Sequence, residues 1–306
     1  MAMKSWDNAT TEIITEIGHA PLILANEIQP HGVVFVLKEP LLEIIQVSDN
    51  TDKFFGIPAQ EWLNNTPLLT KGFNLDQIFN KSVLETIQNH RQRKQSECYS
   101  PLQLTVNIEG KSQVFEGSLR RQPEGLILEL EPSSNSNDDT NLSFYQLFSS
   151  CYERIKQRKT LEEVTHKIVQ EIRHLTEFDR VMVDQFKEDN SGVVIAEDRL
   201  SELNSFLGLH FPDIDLPPEC RQVYYQNFLQ LIPNVNAQNV AIIPEKNPLT
   251  NKPLKLIPLS LRSFSPCDVE YLKNMGVSPA LTLGLIKNNK LWGLIACHHY
   301  SPKYIS

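Results

Sequence analysis

The stretch LRSFSPCDVEYLKNMGVSPALTLGLIKNNKLWGLIACHHYSPKYIS, residues 261–306, decides how the chain is read. Ser265 is a natural helix N-cap, Pro266 suits a first helical position whose N–H would be unpaired in any residue, and Asp268 completes an S-x-x-D start. Cys267 therefore falls in the first turn of a helix. There, unpaired N–H groups and the helix dipole favour a thiolate, while the neighbouring Asp268 opposes one. Two apolar runs follow, 279–286 and 291–299, joined at Asn288-Asn289, and they read as a hairpin of buried strands. The second run ends in Cys297-His298-His299.

Working back from this stretch, prolines recur from Pro212 to Pro258 without any periodicity around them. A segment that long inside a compact domain is usually functional. Ahead of it, 178–186 and 193–196 read as strands around a Glu188-Asp189-Asn190 turn. Two helices are expected before them. Phe144, Phe148, Cys151 and Ile155 recur at helical spacing in the first, and Leu161, Val164, Ile168, Ile172 and Leu175 in the second, stripes suited to core or dimer packing. The polar run EPSSNSNDDTN (131–141) marks a domain boundary, with the linker at 132–141. N-terminal to it come strands at 33–37 and 42–47, helical turns at 50–55, 59–63 and 75–79, a helix from Ser82 to about Lys94, and strands at 102–108, 114–121 and 126–130. The polar residues 1–20 read as an arm. The expected fold class is α+β: two domains, 21–131 and 142–306, each an antiparallel sheet flanked by helices.

Composition narrows the function. A chain of 306 residues can bury two cores, and an apolar content of 41% is that of a globular protein. A net charge of -8 argues against general binding to nucleic acid or to anionic membrane. No uninterrupted apolar stretch reaches the ~18 residues of a membrane span, and MAMKSWDNATTE lacks the apolar region of a signal peptide. A cytoplasmic location is expected. Five cysteines, Cys98, Cys151, Cys220, Cys267 and Cys297, are odd in number and form no CxxC pair, as suits free thiols in a reducing compartment.

The residues alone leave Cys267 open as a nucleophile, a metal ligand, a cofactor anchor or a packed thiol. A zinc site of Cys297, His298 and His299 is opposed by strand alternation, which turns Cys297 and His299 one way and His298 the other. A thiol hydrolase would pair Cys267 with a base such as His298, but no oxyanion-hole motif is visible. A sensor of cyclic nucleotides or other small ligands is the other competing reading.

Several motifs go further. IQPHG (28–32), FDRVM (178–182), FPDIDLP (211–217), SPC followed by EYLKNMGV, and LWGLIACHHYSPKY together resemble the PAS and GAF domains of a phytochrome of the cyanobacterial type. The resemblance spans nearly the whole chain, with PAS at 21–131 and GAF at 142–306. It implies a red/far-red photoreceptor, not an enzyme beyond autocatalytic pigment attachment, whose signal is 15Z/15E photoisomerisation of a linear tetrapyrrole. Cys267 matches the cysteine that forms the thioether. Asp215 matches the aspartate beside the pyrrole nitrogens, Arg262 an arginine pairing with a propionate, and Thr282 a hydroxyl donor to the other propionate. His298 matches the histidine near the ring D carbonyl, and Tyr271 a pocket aromatic beside that ring. Biliverdin-binding relatives carry their cysteine in the arm before the PAS domain. The arm here, around Ile17, has none, so phycocyanobilin is the expected pigment. The resemblance also implies a homodimer, an arm threaded through a GAF loop, and PHY and kinase output domains that this chain lacks.

Four positions depart from the family pattern. Asp268 replaces a histidine, Asp184 and Phe211 replace tyrosines, and Gln230 stands where an arginine often reaches a propionate. Added carboxylates favour a protonated pigment, because nearby negative charge raises the pKa of a cation.

Overall fold

A computed structural model describes residues 26–64, 85, 87, 100–108, 110–133, 139–216 and 218–303. The expected arm, the turn at 75–79, most of the helix after Ser82 and the centre of the linker lie outside the described residues. In chain order the first elements are β1 (Glu27–Ile28), β2 (Val33–Lys38), β3 (Glu43–Ser48), α1 (Thr51–Phe55), α2 (Ala59–Asn64), β4 (Ser100–Ile108), β5 (Lys111–Gln122) and β6 (Gly125–Pro132). Next come α3 (Asp139–Lys156), α4 (Leu161–Thr176), β7 (Arg180–Phe186), β8 (Gly192–Arg199) and β9 (His210–Phe211). A 3-10 turn (Asp213–Asp215), α5 (Pro218–Arg221), α6 (Val223–Gln226), β10 (Leu229–Ile232) and β11 (Val240–Ile243) follow. The chain closes with α7 (Pro266–Asn274), β12 (Ala280–Lys287) and β13 (Lys290–His298).

Two compact units result, each built on an antiparallel sheet with helices, as the sequence predicts. The first comprises Ala25–Ser136 together with Ala237–Ser263. Its seven strands run in the order β1-β11-β3-β2-β6-β5-β4. The run VVFVLK of β2 is apolar at nearly every position because both faces of the strand are covered. Val33, Phe35 and Leu37 face one core with Phe55 and Trp62 from α1 and α2, while Val34 and Val36 face a second core with Ile242, Leu254, Leu259 and Leu261. In the first core the Trp62 ring meets Phe35 at 5.0 Å and Phe55 at 5.4 Å, edge-on, and its Nε1 donates to Ile57 O at 3.2 Å.

The linear division expected from sequence does not describe this sheet: 237–263, read with the second domain, belongs to the first unit. β11 pairs with β1 (Glu27 with Ala241) and with β3 (Ile243 with Val47). Fully buried Asn247 fastens the segment, donating from Nδ2 to Gln46 Oε1 at 2.6 Å and to Glu124 O at 2.9 Å, while Gln46 Nε2 donates to Pro244 O at 2.9 Å. β11 escaped the sequence reading because it has only four residues and its partners lie some two hundred positions away.

The second unit holds Asn137–Asn236 and Phe264–Ile305, with strand order β10-β12-β13-β7-β8-β9. α4 starts at a reciprocal capping box of Thr160 and Glu163. It lays Val169, Ile168 and Ile172 on the sheet against Val181, Val183, Leu281, Ile295 and Cys297. The stripe expected on α3 divides: Cys151 is buried, whereas Phe148 is 54% exposed beside Tyr152 at 53%. At the tip of the last hairpin Asn288 and Asn289 both adopt left-handed φ (52° and 59°), the type I′ turn that matches strand twist.

Candidate functional site

Register decides which side chains meet. β12, β13 and β7 send Leu281, Ile295, Cys297, Val181 and Val183 toward α4. Their alternates form three rows on the other face. His298 stands between Ala280 and Arg180; Thr282 stands between Gln230 and Ala296, with Met182 beyond; Leu294 stands between Gly284 and Asp184. Met182, Val194 and Ala296 make a small apolar patch there, with Phe206 and Phe211 packed against it. One sheet face thus gathers His298, Thr282, Asp184 and Phe211 from distant parts of the sequence.

On this face His298 Nδ1 and Asp184 Oδ1 lack a hydrogen-bond partner among the described residues. Burial, then the positive charge of Arg180 on the neighbouring strand, pushes the His298 pKa down to about 4, so its imidazole is neutral near pH 7. Burial alone pushes the Asp184 carboxyl up to about 7. The Tyr271 hydroxyl, on α7, is raised by burial and then by the charges of Asp215 and Asp184. That shared electrostatic influence links α7, the 3-10 turn and β7.

Arg180 and Glu197 lie on this same face. Arg180 is 1% exposed, pairs with Glu197 at 2.5 Å, donates to Asn204 O at 2.7 Å and lies 3.6 Å over the Phe206 ring. Burial opposes the Glu197 charge, but bonds from Ser205 and the Phe206 N–H, together with Arg180, outweigh it and hold the carboxyl below its ordinary range. The sequence reading quoted Arg180 within FDRVM without assigning it a role. The missed signal was an arginine opening an apolar strand.

The helix carrying Cys267 begins as its residues dictate. Ser265 Oγ accepts the Asp268 N–H at 3.0 Å, Asp268 Oδ2 accepts the Ser265 N–H at 3.3 Å, and Pro266 takes the first helical position. Cys267 is the second helical residue, within the turn whose N–H groups have no intrahelical acceptor. The Asp268 carboxylate is engaged in this cap, so Asp184 is the added carboxylate that the sheet face itself carries. Arg262 falls in the first unit, bridged antiparallel to Ile28, with Nη1 donating to Ser263 O at 3.2 Å.

Cys297, His298 and His299 do not converge. Cys297 lies in the α4 core with its thiol pushed up to about 12 by burial, His298 is on the opposite face, and His299 Nδ1 contacts Asp179 Oδ2 at 2.8 Å. β13 and β7 also approach closely: a Cβ on Gly293 would lie 2.3 Å from Asp184 O. Gly293→Ala is therefore expected to destabilise the protein by about 3 kcal/mol or more. The check is a thermal midpoint lowered by several degrees, or loss of folded protein.

Comparison with known proteins fits this geometry. A PAS fold family model matches residues 18–133, and a GAF domain model matches 160–305. The chromophore binding domain of Stigmatella aurantiaca phytochrome P1 superposes with a TM-score of 0.83 at 35% identity, covering 92% of this chain and 90% of that one. The chain belongs to the phytochrome family. A second phytochrome structure, the chromophore-binding domain of an unusual bacteriophytochrome from R. palustris, gives a TM-score of 0.83 at 31% identity over 94% of this chain and 91% of its own. Among curated relatives, cyanobacterial phytochrome A of Nostoc sp. is 41% identical over 295 residues, 96% of this chain and 38% of that protein. The chain thus spans about two fifths of the length of the curated cyanobacterial phytochromes it matches. No described helix is long and apolar enough to cross a membrane.

Proposed function

We propose that the second unit binds a linear tetrapyrrole, phycocyanobilin, through a thioether to Cys267, as the light-sensing part of a cytoplasmic red/far-red photoreceptor. The observation that carries this reading is that His298 Nδ1 and Asp184 Oδ1 are unpartnered on a sheet face that also carries the apolar patch of Met182, Val194 and Ala296. Such a face suits an elongated, largely apolar ligand with a few carbonyl and N–H groups. In this reading neutral His298 bonds the ring D carbonyl, Asp215 faces the pyrrole N–H groups, and Tyr271 and Phe211 supply aromatic walls. Thr282 takes a propionate, and Asp184 supplies a carboxyl beside ring D. When bound, the pigment supplies visible absorption and a C15=C16 bond that light turns between 15Z and 15E. Co-expression with phycocyanobilin synthesis is expected to give a red-absorbing protein with a reversible light-minus-dark difference spectrum. A colourless product would sink the assignment.

A homodimer through α3 belongs to the same reading. Leu147, Phe148 and Tyr152 are exposed on this helix, more apolar surface than a solvated helix commonly presents. Phe148→Glu is expected to convert a dimer to a monomer in light scattering after size-exclusion chromatography. Unchanged mass would place the contact elsewhere.

A further inference from the structure

The ion pair beside His298 has no part in the proposed function. Arg180 on β7 is the direct cross-strand neighbour of His298 on β13, and the two side chains share one sheet face. They are 1% and 7% exposed. Directly opposed residues of an antiparallel pair hold their Cβ atoms ~4.5–5.5 Å apart, and like charges so placed oppose each other. Burial strengthens that opposition, because little solvent lies between the groups. Of the two, an imidazole can give up its charge and a guanidinium cannot. The surroundings of Arg180 suit a permanent cation: Nη1 donates to Glu197 Oε1, Nη2 donates to Asn204 O, and the guanidinium lies over the Phe206 ring. Glu197 is itself fixed, accepting from Ser205 Oγ at 2.6 Å and from the Phe206 N–H at 3.0 Å, with Arg199 Nε 3.5 Å from Oε2. Among the described residues, the other groups near His298 are uncharged or placed elsewhere. β12 sets Ala280 beside it, Tyr271 on α7 is neutral near pH 7, Asp184 stands two rows along, and Asp179 is engaged by His299 and the Tyr300 N–H.

We propose that Arg180 is a positioning residue for His298: locked by Glu197, its guanidinium stands beside the imidazole and keeps that ring a neutral hydrogen-bonding partner for a carbonyl of the ligand, that of ring D in the reading given above, on which this inference rests. The gain lies in the ligand's own charge. A tetrapyrrole with protonated ring nitrogens is a cation, and an imidazolium at its end would repel it. A histidine with its ordinary pKa of 6.5 would be partly charged just below neutrality, whereas burial and Arg180 together bring His298 down to about 4. The placement of the pair matters as well. Arg180 is directly beside His298, while Glu197 stands opposite Met182, one row along and one strand further away. The cation therefore acts on His298, and the anion balances it at a distance.

The test titrates the imidazole in the full, pigment-free chain by NMR of isotope-labelled histidine, with His298 identified by the signal that His298→Gln removes. The double variant Arg180→Gln with Glu197→Gln exchanges the ion pair for a neutral one, and it should raise the His298 midpoint by about one to two pH units. Arg180→Lys keeps the charge and should leave the midpoint near wild type. Glu197→Gln alone leaves the Arg180 charge unbalanced, so the midpoint should stay at or below the wild-type value. This last arm separates charge from structure, since loosened packing would raise the midpoint in every variant that breaks the pair. An unmoved midpoint in the double variant, or a raised one in Glu197→Gln, would overturn the inference. If the double variant does not fold, Glu197→Gln and Arg180→Lys decide it. With phycocyanobilin bound, the red band of the double variant should shift between pH 7 and pH 4.5 while that of wild type stays fixed, and a fixed band in both would remove the link to the ligand. Failure of wild type to take up pigment would overturn only the bilin assignment and leave the imidazole titration standing.

Discussion

Replacing Cys267 by alanine is expected to reduce covalently held pigment to background, read as zinc-enhanced fluorescence of the denatured band. The position explains the size of the effect. Cys267 is the second residue of a capped helix, where the local dipole favours a thiolate, and Pro266 with the Ser265–Asp268 box fixes the turn that presents it. The thiol of Cys297 is a poor substitute, because burial pushes it up to about 12 and its strand turns it toward α4. Cys297→Ala should therefore leave attachment intact. Ser265→Ala, which removes one half of the cap, should cost about 1 kcal/mol of stability and slow attachment without abolishing it. Pigment that stayed covalent in Cys267→Ala would rule out the assigned anchor.

Asp184→Asn is expected to have the second largest effect, through two separate readouts. Without pigment, the folded pKa of about 7 lies above the ordinary carboxyl value of 3.8, so the folded state holds the Asp184 proton more tightly than the unfolded chain does. The resulting stabilisation is full below the unfolded pKa and is lost as pH rises through about 7. Asparagine carries no such dependence. The variant should therefore gain stability relative to wild type between pH 5 and pH 8. A full displacement of this kind corresponds to ~4 kcal/mol, and partial solvent access brings the expected gain to about 2 kcal/mol. With pigment, an ionised Asp184 beside a protonated tetrapyrrole stabilises the cation, so Asp184→Asn should deprotonate about one pH unit lower in an absorbance titration. Parallel titration of the two proteins in both experiments would remove Asp184 from the site.

The capped start of α7 and the hairpin of β12 and β13 were legible in the sequence because their signals are local: Ser265, Pro266 and Asp268 lie within four positions, and Asn288-Asn289 specify a turn whatever surrounds them. The two antiparallel sheets were legible for the same reason, since most of their pairs join successive strands. β1, β9, β10 and β11 were not, being two to four residues long, too short for alternation to stand out. The site residues came from motif resemblance. What the sequence could not supply was their environment. Asp184 and His298 owe their shifted pKa values to burial created by chain segments distant in sequence, and Asp268 turned out to be engaged in a cap. Glu129 is buried on β6, yet a glutamate in the alternating run LILELEP reads as an outward-facing strand residue.

The placement of β11 between β1 and β3 bears on how the protein is made. On the ribosome, the outer edge of β3 and the face carrying Val34, Val36 and Ile127 are finished long before residues 240–243 emerge to cover them. At elongation speeds of ~5–20 residues per second, the separation between Ser48 and Val240 means roughly 10–40 s during which the outer edge of β3 is carried unpaired on the nascent chain. A fragment ending after the first six strands would remain in that condition indefinitely. Soluble production of the PAS part is thus tied to synthesis through Ser263, and holdase chaperones have a defined stretch of time in which to act.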